Sequence, residues 1–485
     1  MARTTTGPDG TYNLVVIGAG TAGLVTAAGT AGLGGRVALV ERGRMGGDCL
    51  NTGCVPSKAL ISSARLIDRI RRSSNLGLNP QAPLFDFERI VARMRECRAR
   101  LSEQDSQARF EGLGVDVYRG EAKFLSPREV QVGDIRLRAR NFLIAAGSRA
   151  AVPPIEGLES VRYYTNETVF DELDTAPERL AILGGGPIGC ELGQAFAHLG
   201  VRVTILQRSP QILEKEDADV AGLLRRCLES SGISVVAGIE VKTARVEGKS
   251  VRLSYGGDGH EDRSGVFDAV LVATGRVPNT DSLGLEAAGV AFTRKGVTVN
   301  SHLQTSQPHI YAAGDIVGTF QFTHVADHHA RIVVRNVLFP WLKARVEERV
   351  IPWCTFTSPE IARVGWNENQ ARAMGVAYDV FLQPFGEVDR AILESEEIGF
   401  AKVLTKKGSD RILGATVVCE RAGDVLQEFV VAMKNGIGLK AIGNTIHPYP
   451  TVVEVARKIA DQQQKSRLKP PVKRALRWLY RRRLP

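Results

Sequence analysis

The chain has 485 residues, 44% hydrophobic and 24% charged, with a formal net charge of +10. That length is too great for one core and predicts about three domains. Five of its seven cysteines stand singly (Cys97, Cys190, Cys227, Cys354 and Cys419), which excludes a secreted disulfide framework, and no stretch approaches a membrane span. The polar start, residues 1–11, has no apolar run of signal-peptide type, so we expect an unstructured leader on a cytoplasmic protein.

Tyr12 to Ile17 reads as a buried strand. Gly18, Gly20 and Gly23 follow it, then a small-residue helix and a second strand from Arg36 to Val40, closed by Glu41. Glycines at this spacing let a pyrophosphate reach a helix N-terminus, and an acid at the end of the second strand takes ribose hydroxyls. A glycine-rich loop opening an unrelated helix is the plainer alternative.

Residues 46–58, GGDCLNTGCVPSK, carry Cys49 and Cys54 between a glycine pair and Lys58. In a regular helix, residues five apart are separated by about 7.5 Å of rise, beyond the roughly 6.8 Å that a disulfide tolerates between Cα atoms. A bridging pair therefore belongs at a distorted helix start, where amide dipoles favour a thiolate and a strained bridge is easily reduced. Two free buried cysteines, or half of a metal site, are the alternatives; the latter lacks a second close Cys or His pair.

The first pattern then recurs. Arg179 to Leu183 reads as a strand, Gly184, Gly186 and Gly189 as the turn, a helix runs to about Leu199, and Val201 to Leu206 is the next strand, closed by Gln207. The interval is 23 positions in both copies, Gly18 to Glu41 and Gly184 to Gln207, so two nucleotides are expected. Gln207 and Arg208 replace the carboxylate of the first copy. That removes repulsion of a 2′-phosphate and adds a cation, favouring NADPH over NADH, unless Arg208 merely faces solvent. Residues 142–150 (FLIAAGSRA) and 269–279 (AVLVATGRVPN) each read as a strand ending in a glycine turn, and 310–316 (IYAAGDI) as a strand presenting Asp315, placed either for a polyol chain or as a buried structural acid.

This order of motifs resembles the pyridine nucleotide-disulfide oxidoreductases, the flavoproteins that include dihydrolipoyl dehydrogenase, glutathione reductase and mercuric reductase, over residues 12 to about 460. The resemblance implies an α/β fold of two Rossmann-like dinucleotide-binding domains, for FAD and NAD(P), and an α+β C-terminal dimerisation domain. The expected boundaries are 12–154 and 281–350 for the FAD and central parts, 155–280 for NAD(P) and 351–463 for dimerisation. It implies a homodimer in which hydride passes from NAD(P)H through FAD to the cysteine pair. Cys54 would be the flavin-facing thiolate, Cys49 the interchange thiol, and Lys58 and Glu191 an ion pair near the flavin. Cofactor contacts would fall on Gly18, Gly20, Gly23, Glu41, Gly47, Asp48, Lys58, Ala146, Gly147, Asp315, Phe322, Thr323 and His324 for FAD. For the nicotinamide nucleotide they would fall on Gly184, Gly186, Gly189, Gln207, Arg208 and Gly275.

The disulfide reductases of this family carry a histidine two positions before a threonine, with a glutamate three residues after the threonine, and this dyad of the partner subunit protonates the interchange thiol. Here the run is His447, Pro448, Tyr449, Pro450, Thr451 and Glu454, so Tyr449 takes the histidine position. A phenol of pKa near 10 is a poor base at neutral pH. Mercuric reductases resemble the chain at this tyrosine, and His447 either stands in or is structural. No cysteine follows Cys419 in this sequence, so the vicinal cysteine pair of mercuric reductases is not expected here, nor, with the first strand beginning at Tyr12, is their amino-terminal metal-binding domain. The expected acceptor is a metal ion or a small disulfide or oxidant, with no resident metal. A dihydrolipoyl dehydrogenase-like reductase and a membrane-recruited flavin-binding protein with slow dithiol turnover are the alternatives.

Residues 464–485 hold nine Lys or Arg and no acid, which leaves the preceding chain nearly neutral. Pro470 and Pro471 open a candidate helix with Val472, Leu476 and Leu479 on one face and Trp478 and Tyr480 flanking it. It reads either as a peripheral membrane contact or as a solvated basic tail, with no specific nucleic-acid fold beside it.

Overall fold

A computed structural model describes residues 11–79, 83–257, 260–468 and 470–483. The expected leader lies, apart from Thr11, outside the described residues, as do Lys469 and the last two residues of the tail. The chain divides into two compact units, Met1–Ile67 with Leu84–Pro210 and Ile233–Glu347, and Asp68–Pro83 with Gln211–Gly232 and Glu348–Pro485.

In the first unit, β1 (Thr11–Ile17), α1 (Thr21–Gly32) and β2 (Val37–Glu41) form a parallel βαβ. Glu41 ends the second strand, as the sequence suggests, and is its last paired residue, opposite Arg119. The seven-stranded sheet runs Val115–Arg119, β2, β1, Ile135–Ile144, Glu129–Val132 and Ala122–Ser126, with Ile310–Ala312 also pairing on Ile135–Ile144. Both faces are covered. Leu14, Val16 and Leu39 pack with Leu24, Ile332 and Val333 on one side, while Val15, Ile17 and Val40 pack with Phe124, Phe142 and Leu285 on the other. This is why β1 carries a continuous apolar run, Leu14 to Ile17, and not an alternating one.

The second copy builds a five-stranded parallel sheet, Ser234–Ala237, Arg202–Gln207, Arg179–Leu183, Ala269–Val272 and Tyr164–Thr165, with Pro187–His198 as its first helix. Two features depart from the sequence reading. Within residues 142–150 the strand Ile135–Ile144 ends in the expected glycine turn, but Ser148–Ala150 beyond it is a further strand that pairs antiparallel with Arg276–Pro278, so the two similar glycine segments form one ribbon. A three-stranded antiparallel sheet, Glu240–Glu247, Ser250–Gly257 and His260–Phe267, also appears without an expectation behind it.

The second unit holds a five-stranded antiparallel sheet over residues 352–419, on which Val364, Val403 and Val417 pack with Phe429 of the helix Ala422–Lys434 and Ile459 of the helix Glu454–Ser466. Residues 211–232, expected in the nucleotide domain, group with this unit. Charge explains it: the Lys402 ammonium, 1% exposed, meets Asp217 at 3.1 Å, Asp219 at 2.8 Å and Glu368 at 3.1 Å. A buried cation is held only by such complete pairing. No disulfide joins any two of the seven cysteines in this structure. No helix among the described residues is long and apolar enough to cross a membrane.

Candidate active site

The cysteine pair lies in the first unit at a break between two helices, α2 (Gly47–Asn51) and α3 (Cys54–Arg71). Gly46, at φ +94°, turns the chain into α2, and a side chain there would run into Leu50. The expected distorted helix start is thus a full interruption at Thr52 and Gly53, with Cys49 inside the first helix and Cys54 opening the second.

The two thiols hydrogen-bond to each other and divide their proton unequally. The bond from Cys49 is the largest influence on Cys54, whose pKa falls to about 6; Thr323 and Lys58 lower it further, against burial and Glu191. Cys49 is pushed up, first by that same bond and then by burial. Cys54 is therefore the member of the pair that ionises more readily, and Cys49 the member that keeps its proton longer. Thr323 Oγ1 lies 3.4 Å from Cys54 Sγ and opens the helix Thr323–Leu338, where the rings of Phe322 and His324 stack with centroids 5.4 Å apart.

Lys58, one turn along α3 from Cys54, donates to Glu191 Oε2 at 2.7 Å. Glu191 is buried in the helix Pro187–His198, so this bond ties the cysteine helix to the second nucleotide-binding copy.

Within each copy the glycines divide their tasks. A Cβ at Gly18 would lie 2.3 Å from Ala145 O and one at Gly23 1.8 Å from Gly18 O; at Gly184 and Gly189 the corresponding distances are 2.5 and 2.0 Å. These four are demanded by the protein itself. The middle glycines are not: a Cβ at Gly20 meets only Gly47 Cα at 3.7 Å, and one at Gly186 meets nothing within 4 Å. Protein packing leaves these two positions open, as close approach by a pyrophosphate requires. The acid positions also correspond. Glu41 accepts from the N–H groups of Ala19 and Gly43, both at 2.6 Å, and Gln207 accepts from that of Gly185 at 2.7 Å. Arg208 follows its strand in an exposed position. The residues present thus fit a dinucleotide in each copy.

Arg276 was not singled out from the sequence. Its guanidinium pairs with Asp48, donates to Ser148 Oγ at 2.8 Å and Ser148 O at 2.9 Å, and lies 3.8 Å from Asp315, to which Ser148 in turn donates at 2.7 Å. A cation inside an otherwise apolar strand reading was the available signal, because such a side chain needs a carboxylate. Asn279 donates to Ala146 O at 2.9 Å from its side chain and to Gly147 O at 3.0 Å from its backbone, joining the glycine turns that contain Ala146, Gly147 and Gly275.

Tyr449, His447 and Glu454 lie in the second unit and do not form one group. The Tyr449 hydroxyl donates to Asp389 Oδ2 at 2.8 Å, which raises its pKa above the ordinary phenol value, and the ring is exposed. Glu454 is buried, with Oε1 accepting from Arg457 at 2.8 Å, and Oε2 has no hydrogen-bond partner among the described residues; its charge adds to the rise of the Tyr449 pKa. His447 has both ring nitrogens engaged, Nδ1 with Thr445 O at 3.0 Å and Nε2 with Glu428 at 2.8 Å. Among the described residues, no three His, Cys, Asp or Glu side chains group to hold a metal ion.

Comparison with known proteins agrees with this arrangement. The family described as pyridine nucleotide-disulphide oxidoreductase matches residues 12–330, and its dimerisation domain matches 351–460. A mercuric reductase of Staphylococcus aureus is 35% identical over 92% of the chain and 81% of its own length. A dihydrolipoyl dehydrogenase of Chlamydia muridarum is 33% identical over 92% of the chain and 95% of its own length. Among solved structures, a Cu(II) complex of the HOCl-induced flavoprotein disulfide reductase RclA from Escherichia coli superposes with a TM-score of 0.83 at 29% identity, covering 93% of this chain and 99% of that one.

Proposed function

The chain belongs to the pyridine nucleotide-disulphide oxidoreductases, a family of FAD-dependent oxidoreductases that take electrons from NAD(P)H, and on that premise we propose that its Cys49–Cys54 dithiol serves a thiophilic metal ion. The observation that carries this reading is Tyr449, a phenol whose hydrogen bond to Asp389 raises its pKa, standing where a disulfide reductase carries a base. Disulfide exchange expels a thiolate that must be protonated on leaving, which calls for a group titrating near neutral pH. A metal ion binds thiolates directly and has no such requirement. The similarity to a mercuric reductase supports the same choice.

FAD, when bound, takes a hydride from the nicotinamide and supplies an electron pair to sulfur. For it we propose the Gly18 to Gly23 turn and the N-terminus of α1 at the pyrophosphate, Glu41 at the ribose, and Asp315, held through Ser148 and Arg276, at the polyol chain. The Gly184 to Gly189 turn and Arg208 would take NADPH. Cys54, as the thiolate, would face the flavin; Cys49, kept as the thiol, would meet the acceptor. Lys58 stabilises the Cys54 charge, and Glu191 anchors Lys58. Two copies would pair through residues 351–460.

The test is an anaerobic titration of the purified flavoprotein with NADPH. Flavin bleaching followed by a long-wavelength thiolate–flavin absorbance, lost in Cys54→Ser, is the expected result. Bleaching without that band in the wild type would mean that the dithiol is not in the electron path.

A further inference from the structure

We propose that the C-terminal helix Pro470–Arg481 is a peripheral anchor that docks the enzyme on an anionic lipid bilayer. The helix contains no buried residue; Val472, Leu476 and Leu479 are 43%, 37% and 40% exposed and Trp478 and Tyr480 54% and 66%. At about 100° per residue, Val472, Ala475, Leu476 and Leu479 share one side, while Lys473, Arg474, Arg477 and Arg481 share the opposite one. Trp478 and Tyr480 fall on the two borders between them, the level at which amphipathic rings sit in a membrane interface.

Charge selects the partner. The segment 464–485 carries nine basic residues and no acid, so an apolar protein groove would leave those charges unmatched, whereas an anionic bilayer offers hydrocarbon below and phosphate beside the same helix. A nucleic acid would match the charge and leave the leucine side in water. Sequence segregation of the two faces therefore favours lipid. Each basic side chain near such a surface should strengthen binding about fivefold. This electrostatic part falls with salt, while leucine and tryptophan insertion does not.

The experiment uses the full-length flavin-loaded protein, co-sedimented with phosphatidylcholine vesicles with and without about 30% phosphatidylglycerol. We expect at least roughly tenfold more protein bound to the anionic vesicles at about 50 mM salt, with a fraction still bound at about 500 mM. Removing residues 470–485 should abolish binding, and Leu476→Glu with Leu479→Glu should abolish the salt-resistant fraction and the blue shift of Trp478 fluorescence, both with flavin absorbance and NADPH oxidation unchanged. The proposal is overturned if the anionic vesicles bind no more protein than the neutral ones. It is equally overturned if the leucine variant behaves as wild type at both salts, or if duplex DNA is retained under conditions where vesicles are not.

Discussion

The Tyr449 hydroxyl donates a hydrogen bond to Asp389, 60 residues earlier in the chain, at 2.8 Å. The bond favours the neutral phenol, and Lys458, 3.4 Å from Asp389, helps keep the acceptor ionised. Tyr449→His places a group with an ordinary pKa near 6.5 where the phenol stood. Reduction of glutathione disulfide or oxidised lipoamide should rise by roughly 100-fold, the lower end of what acid–base catalysis contributes. Asp389→Asn in that background tests the same bond: if Asp389 orients the imidazole, most of the gain disappears, while metal-ion reduction is unaffected.

The unequal proton sharing between Cys49 and Cys54 sets a second expectation. Thiolate is the form that reacts with iodoacetamide, so alkylation of Cys54 should fall as pH drops through a midpoint of about 6. Cys49→Ala removes the largest cause of the lowering and should move that midpoint upward, towards the ordinary thiol value. Lys58→Met should move it the same way by less. Cys49→Ser and Cys54→Ser should each abolish dithiol-dependent turnover with FAD still bound, because the nucleotide-binding glycines lie elsewhere. An alkylation midpoint unchanged in Cys49→Ala would mean that Cys49 does not hold the Cys54 thiolate.

The open middle glycines separate nucleotide binding from folding. Gly20→Val and Gly186→Val add side chains that meet little or no protein at Cβ, so thermal stability of the apoprotein should change by less than about 1 kcal/mol. Gly20→Val should purify without flavin absorbance. Gly186→Val should keep its flavin yet lose nicotinamide binding, read as a KM for NADPH raised by on the order of 100-fold. By contrast, Gly23→Val should fail to fold, since its Cβ would lie 1.8 Å from Gly18 O.

The proposed role of Gln207 and Arg208 predicts an NADPH preference. Arg208→Glu should reverse it, lowering kcat/KM for NADPH by roughly 10-fold or more while that for NADH holds or rises. Wild-type protein with the higher kcat/KM for NADH would count against the assignment of Arg208 to the 2′-phosphate.

The parts of the fold set by local chemistry were legible. The continuous apolar runs of β1 and Arg179–Leu183 report strands buried on both faces, and Gly18 and Gly184 stand where only glycine fits, at φ +104° and +107°. What depended on distant partners was not. Arg276 lies in a stretch whose strand was expected, yet its ties to Asp48 and Ser148 join segments more than 100 residues apart. Likewise, Glu454 follows Thr451 at the expected spacing, but Asp389, far away in sequence, took the phenol. The pairing of Ser148–Ala150 with Arg276–Pro278 was hidden for the same reason: three-residue strands carry no periodicity of their own.

The most direct test of the metal-acceptor reading is NADPH oxidation by the purified flavoprotein with Hg(II), Cu(II), oxidised lipoamide and glutathione disulfide compared side by side. The account predicts that at least one metal ion supports turnover roughly 10-fold or more faster than either disulfide, and that Cys49→Ser and Cys54→Ser each remove it. Faster reduction of glutathione disulfide or lipoamide than of both metal ions by the wild-type protein would contradict it.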